Sequence, residues 1–98
     1  MVAYVIAERL HEWDRDVFTA YGPLAAASIA RFGGRYLART EGAIGLEGPA
    51  APLAMAVIEF PSMDQAQAWF RSQEYQRAAG IRRAGAQNRF VLVEGAPG

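Results

Sequence analysis

The stretch from Leu53 to Tyr75, LAMAVIEFPSMDQAQAWFRSQEY, leaves this chain few alternatives. Leu53 to Phe60 is apolar apart from Glu59 near its end, the pattern of a strand buried on both faces. Pro61 has no N–H to give a sheet ladder and stops the strand. Ser62 stands three residues before Gln65, an S-x-x-Q capping box in which the serine caps a helix and the glutamine reaches back. From Met63 to about Arg71, Met63, Ala66, Trp69 and Phe70 share one stripe. A second helical piece from Glu74 to Arg83 carries Tyr75, Ala78, Ala79 and Arg82 at helical spacing, and Gly85 closes it.

The remaining elements fall on either side. Val2 to Ala7 is a short run of β-formers that continues into Glu8 and Arg9, a first strand, with Leu10 to Glu12 as a connection. A helix is predicted from about Asp14, whose carboxylate suits an N-cap, with Val17, Phe18, Tyr21, Leu24, Ala25, Ile29 and Phe32 at three- and four-residue spacing. Gly22-Pro23 predicts a kink or two helical pieces, because proline lacks the internal donor. Gly33-Gly34 ends the helix. Arg35 to Thr40 alternates as a second strand, with Arg35, Leu37 and Arg39 on one face and Tyr36, Ala38 and Thr40 on the other. Glu41 to Pro52, with glycines at 42, 45 and 48 and prolines at 49 and 52, is a surface loop with a short extended piece at Ile44 to Leu46 and the least ordered part of the chain. Asn88 to Glu94 is the last strand, with Phe90 and Leu92 on one face and Val91 and Val93 on the other.

The order β-α-β-β-α-β is that of an α+β, ferredoxin-like domain: one unit over residues 1–98, with a four-stranded antiparallel sheet and its helices on one side. Strand one carries Tyr4 and Ile6 opposite Ala3, Val5 and Ala7; strand three carries Met55 and Val57 opposite Ala54, Ala56, Ile58 and Phe60. Both faces are apolar. Helices on one side cover one of them, so the other is expected to meet the sheet of a second copy, forming a homodimer and a dimeric α/β barrel.

Composition removes several classes of function. All ten basic residues are arginine, which excludes a Schiff-base lysine, and ten acidic residues bring the net charge to zero, against a nucleic-acid surface. With no cysteine there is no thiol nucleophile and no disulfide framework, and a cytoplasmic location is expected. No apolar run approaches the roughly 18 residues of a membrane span, and no metal or cofactor is expected, since metal-ligand spacing and a phosphate-binding glycine loop are both missing.

Four motifs in order, Phe32 to Arg39 (FGGRYLAR), Val57 to Ser62 (VIEFPS), Trp69 to Gln76 (WFRSQEYQ) and Val91 to Gly95 (VLVEG), resemble the bacterial family catalogued as domain of unknown function 1330. That resemblance spans nearly the whole chain and implies membership of the dimeric α/β-barrel group of ferredoxin-like proteins. Its wider relatives include cofactor-independent monooxygenases, haem-degrading enzymes, lactone isomerases and ligand-binding modules, so the fold alone does not choose a reaction. Two departures are local. Gly48 to Pro52 is GPAAP where the family usually has bulky or charged residues, and Gln73 replaces the proline of R-S-P-E-Y.

The candidate chemistry rests on few side chains. Glu59 is expected near Arg35 and Arg39, either as an ion pair tying two strands or as a site where the arginines hold a ligand carboxylate, phenolate or enolate and Glu59 orients them or acts as base. His11 is a solvated loop residue, an acid or base at a pocket rim, or, on the weakest grounds, a haem ligand. Trp13, Tyr21, Trp69 and Tyr75 are either helix faces packed on the sheet or the wall of a cavity where an aromatic ligand stacks, with a tyrosine hydroxyl placing a proton. Glu59, His11 and Tyr21 are thus the catalytic candidates, and Arg35, Arg39, Trp69 and Tyr75 the substrate-binding ones. Arg82 and Arg83 are expected on a solvated face. Two functions remain open: a cofactor-independent isomerase, cyclase or monooxygenase acting on an aromatic or polyketide-like molecule, or a non-catalytic ligand-binding or accessory dimer.

Overall fold

A computed structural model describes residues 1–97. Strands β1 (Ala3–Glu12), β2 (Arg35–Thr40), β3 (Ala54–Phe60) and β4 (Ala86–Glu94) are interleaved with helices α1 (Val17–Arg31), α2 (Met63–Arg71) and α3 (Gln73–Arg83). The strands form one antiparallel sheet in the order β2-β3-β1-β4, the ferredoxin-like arrangement.

The helix boundaries follow their capping chemistry. Ser62 Oγ accepts from the Gln65 N–H at 3.1 Å and starts α2. Ser72 does two jobs: its hydroxyl donates to the Trp69 carbonyl at 2.7 Å and accepts from the Tyr75 N–H at 3.1 Å, ending α2 and starting α3. Gln73 is therefore the first residue of α3, the position where a proline's missing N–H costs nothing. Gly33 ends α1 with φ of 79°, a backbone shape that glycine adopts without strain.

Four expectations are corrected. β1 continues to Glu12 through an irregularity at Leu10, so Leu10 to Glu12 is strand rather than connection. α1 accordingly starts at Val17, not near Asp14, because the N–H groups of Trp13 and Asp14 both donate to the Gly85 carbonyl, at 2.9 and 3.1 Å, and hold that segment against the start of β4. Gly85 fits there for lack of a side chain: a Cβ would collide with the Asp14 carbonyl and the Val17 methyls. Pro23 lies inside α1, which is one helix and not two pieces. One lost intrahelical bond is outweighed by the packing of α1 on α3. Ile44 to Leu46 forms no strand, and both residues are exposed.

One buried cluster joins the layers. Ala3, Val5, Ile58 and Phe60 of the sheet meet Ala25 and Ile29 of α1, Ala66 and Trp69 of α2, and Tyr75, Ala78 and Ala79 of α3. The alternate positions Tyr4, Ile6, Met55, Val57 and Val91 lie outside it, half-buried on a sheet face that no helix covers.

Trp69 is fully buried, and its indole N–H donates to Ser28 Oγ at 3.0 Å. Trp69→Ala is expected to cost about 3 to 5 kcal/mol of stability, read from denaturant unfolding; a midpoint equal to wild type would contradict this packing.

Candidate functional site

Beneath α1 the sheet carries small residues. Ala7 of β1 pairs with Ala56 of β3, and Ala54 follows on the same face. Side chains this short do not reach the helix above them. The result is a cavity of about 650 Å³ between α1 and the sheet, open toward Arg15, Asp16 and Glu41.

Tyr21 and Gly22 of α1 and Tyr36 and Arg39 of β2 wall it. Arg39 reaches the cavity because β2 is irregular: Arg35 pairs with Glu59 and Tyr36 with Ile58, Leu37 is skipped, and Ala38 pairs with Val57 and Arg39 with Ala56. The skipped residue reverses alternation from that point. Arg35 and Arg39, expected on one face, therefore lie on opposite faces. The Arg39 guanidinium sits 4.9 Å from the Tyr36 ring centroid and beside the bare backbone of Gly22. It has no ion pair among the described residues.

The other candidates divide by sheet face. Glu59 accepts from Arg35 Nε at 3.0 Å on the face away from the cavity. The Arg35 side chain is 71% exposed, so this pair contributes about 0 to 1 kcal/mol. His11 is exposed and follows the Leu10 irregularity, paired with Gln87, also on that far face. Trp69 and Tyr75 are fully buried in the core behind the cavity rather than lining it. Tyr21 connects the two regions: its hydroxyl shares a hydrogen bond of 2.8 Å with that of Tyr75. Trp13 is 63% exposed, not packed on the sheet, and its indole N–H donates to the Ala84 carbonyl at 2.9 Å.

Several cavity groups were not singled out from sequence. Arg9 stacks at 3.6 Å from the Phe18 ring centroid and bonds Glu12 at 2.9 Å, while its Nε is buried without a partner. Its cross-strand neighbour Asn88 holds a buried Oδ1, also unpartnered. Strand alternation alone places Arg9 and Tyr36 on the helix side, and that was the available signal. The cavity is thus an apolar floor ringed by arginines and phenols.

Burial pushes the Tyr21 phenol far above its ordinary value, and the neighbouring Tyr75 adds to the effect while Arg82 opposes it. Tyr36 is raised chiefly by burial, with Arg39 pulling the other way. Both stay protonated donors through the neutral range.

The chain matches the family described as "Domain of unknown function (DUF1330)" over residues 2–96. It belongs to that family. No curated protein matches it by sequence. Among solved structures, a protein of unknown function from Rhodopseudomonas palustris superposes with a TM-score of 0.75 at 18% identity, covering 99% of this chain and 84% of the other. SnoaB, a cofactor-independent oxygenase from Streptomyces nogalater, has a TM-score of 0.64 at 16% identity, covering 99% and 94%. A dimeric ferredoxin-like protein of unknown function from Jannaschia sp. CCS1 has a TM-score of 0.73 at 14% identity, covering 97% and 100%. These likenesses establish a shared fold. The reaction is not carried by them.

Because the folded state retains protons on Tyr21 and Tyr36 that the unfolded chain releases near pH 10, stability is present below that value and should fall as pH rises beyond it. Melting temperatures from about pH 8 to about pH 11 should show this decline, and Tyr21→Phe should make it shallower. A flat profile in the wild type would mean that these phenols are hydrated.

Proposed function

We propose that this protein binds a small aromatic or polyketide-like molecule bearing an acidic oxygen, and that it does so as a homodimer. The observation that carries the reading is Arg39, a cation without a carboxylate partner among the described residues, standing on the Tyr36 ring at the wall of a cavity with an alanine floor. A phenolate, enolate or carboxylate would supply the missing counter-charge, while the alanine floor accepts a flat ring system. Tyr36 can donate a second hydrogen bond to the same oxygen.

Ligand binding is expected to weaken about ten- to a hundredfold in Arg39→Ala, since a charge-assisted hydrogen bond is worth roughly 1.5 to 3 kcal/mol. Ala56→Leu should block binding by filling the floor while the domain stays folded. Calorimetric titration with a hydroxylated anthraquinone checks both; equal affinity in wild type and Ala56→Leu would remove the cavity from consideration.

A catalytic version of this reading is supported by the fold shared with SnoaB, which is described as a cofactor-independent oxygenase. With Glu59 and His11 on the far face, catalysis would act on a substrate acidic enough to ionise against Arg39, without either of those two groups as base. Oxygen uptake with an anthrone, measured in wild type and Arg39→Ala, tests that version: uptake dependent on Arg39 supports an oxygenase, and binding without uptake supports the non-catalytic ligand-binding dimer.

The homodimer is supported by the uncovered apolar face around Tyr4, Ile6, Met55, Val57 and Val91, and by the dimer named for the Jannaschia protein. Sedimentation at micromolar protein is expected to give twice the 10.7 kDa chain mass. Val57→Glu should shift it to the monomer; a wild-type monomer would sink the proposal.

A further inference from the structure

Arg82 departs most sharply from its expected place. Rather than standing on a solvated face with Arg83, it is 4% exposed, makes no ion pair among the described residues, and holds its Nε buried without a partner. Its guanidinium carbon lies 4.7 Å from the Phe90 ring centroid and 5.5 Å from that of Tyr21. Aromatic faces soften the cost of a buried cation but do not satisfy its N–H donors. An arginine left this way is a standing penalty to the fold.

The side chain lines a second cleft of about 470 Å³, separate from the α1 cavity and sharing with it only Asn88 and Phe90. Trp13 and Phe70 form its apolar walls, Arg83 adds a second cation at the rim, and no acidic residue lines it. Trp13 would be an odd residue to leave exposed, yet its bond to the Ala84 carbonyl pins the indole in place, so the exposed ring is held ready rather than loose. A buried unpaired guanidinium, a fixed aromatic wall and the absence of acids share one complement.

We propose that this cleft binds a small aromatic carboxylate, with the carboxylate on Arg82 and the ring between Trp13 and Phe70. Guanidinium and carboxylate match as planar groups that form paired hydrogen bonds. The Asn88 carboxamide lines the same cleft, and its Nδ2–H group is of the kind that donates to a carboxylate. This site is independent of the ligand proposed for the α1 cavity, which meets Arg39.

The experiment is a titration of the 15N-labelled protein with sodium benzoate, following the Nε–H resonance of Arg82 and the indole N–H of Trp13. Both should shift in a saturable way with benzoate and not with benzamide, and acetate should bind at least fivefold more weakly. Arg82→Met should lower benzoate affinity about tenfold or more and, because it removes an unpaired buried charge, should melt no lower than wild type. Trp13→Ala, at an exposed position, should weaken benzoate about fivefold and leave the Arg82 shift in place. Equal responses to benzoate and benzamide, acetate binding as well as benzoate, or benzoate shifts confined to Tyr36 and Arg39 would each overturn the proposal. Should Arg82→Met fail to fold, the wild-type titration still decides.

Discussion

The contact on which the rest of the molecule depends is the burial of Trp69 between sheet and helices. Its ring lies 5.2 Å from the centroid of Phe60 and 4.1 Å from that of Tyr75, and its N–H reaches Ser28, whose own hydroxyl donates to the Ala25 carbonyl at 2.8 Å. One side chain therefore ties α2 to β3, to α3 and to the C-terminal half of α1. Tyr75 extends the tie through its hydroxyl to Tyr21. α1 is thus held from the α2 and α3 side, while its other flank passes over alanines too short to meet it. The cavity is the consequence: the core grips one flank of the helix and leaves the other standing off the sheet.

An all-arginine basic set suits this arrangement. Arg9 lies on Phe18, Arg39 on Tyr36, and Arg82 on Phe90 and Tyr21. A flat, weakly hydrated guanidinium can stack on a ring and still present N–H donors at its edge, which a lysine ammonium cannot do in the same way. Arg9 differs from the other two in having carboxylates: Glu12 and Glu41 both reach it, and Glu41 also bonds Arg15 at 2.7 Å. That network draws the loop after β2 toward the segment before α1 at the mouth of the α1 cavity. Among the described residues Arg39 and Arg82 have no carboxylate partner, one in each cleft, although the net charge of the chain is zero.

The organising strand and helix were legible because local rules agree there. The apolar run of β3, Pro61, the Ser62 cap and the Trp69 stripe each name the same boundaries, and the observed ones fall within a residue of them. The site was less legible. Alternation put Arg39 beside Arg35 and Glu59, and the skipped Leu37 moved it to the cavity instead. A one-residue irregularity leaves no mark in composition, since it arises from how a strand edge twists against its neighbour. Arg82 was hidden for another reason. At the end of a polar-looking helix it reads as solvated, and only the approach of α1 and β4 encloses it.

By itself the sequence determined the order of strands and helices, the apolar character of both sheet faces, the serine that starts α2, the glycines that follow α1 and α3, and the family to which the chain belongs, because each is written in short stretches of neighbouring residues. Tertiary structure alone decided which arginine faces which cleft, how far β1 runs before α1 starts, and that Pro23 sits in a continuous helix. Those outcomes turn on contacts between segments far apart in the chain: Gly85 against Trp13 and Asp14, β2 against β3, and α1 against α3. Strand register and the enclosure of a charge are set by the partner surface, which no local pattern contains.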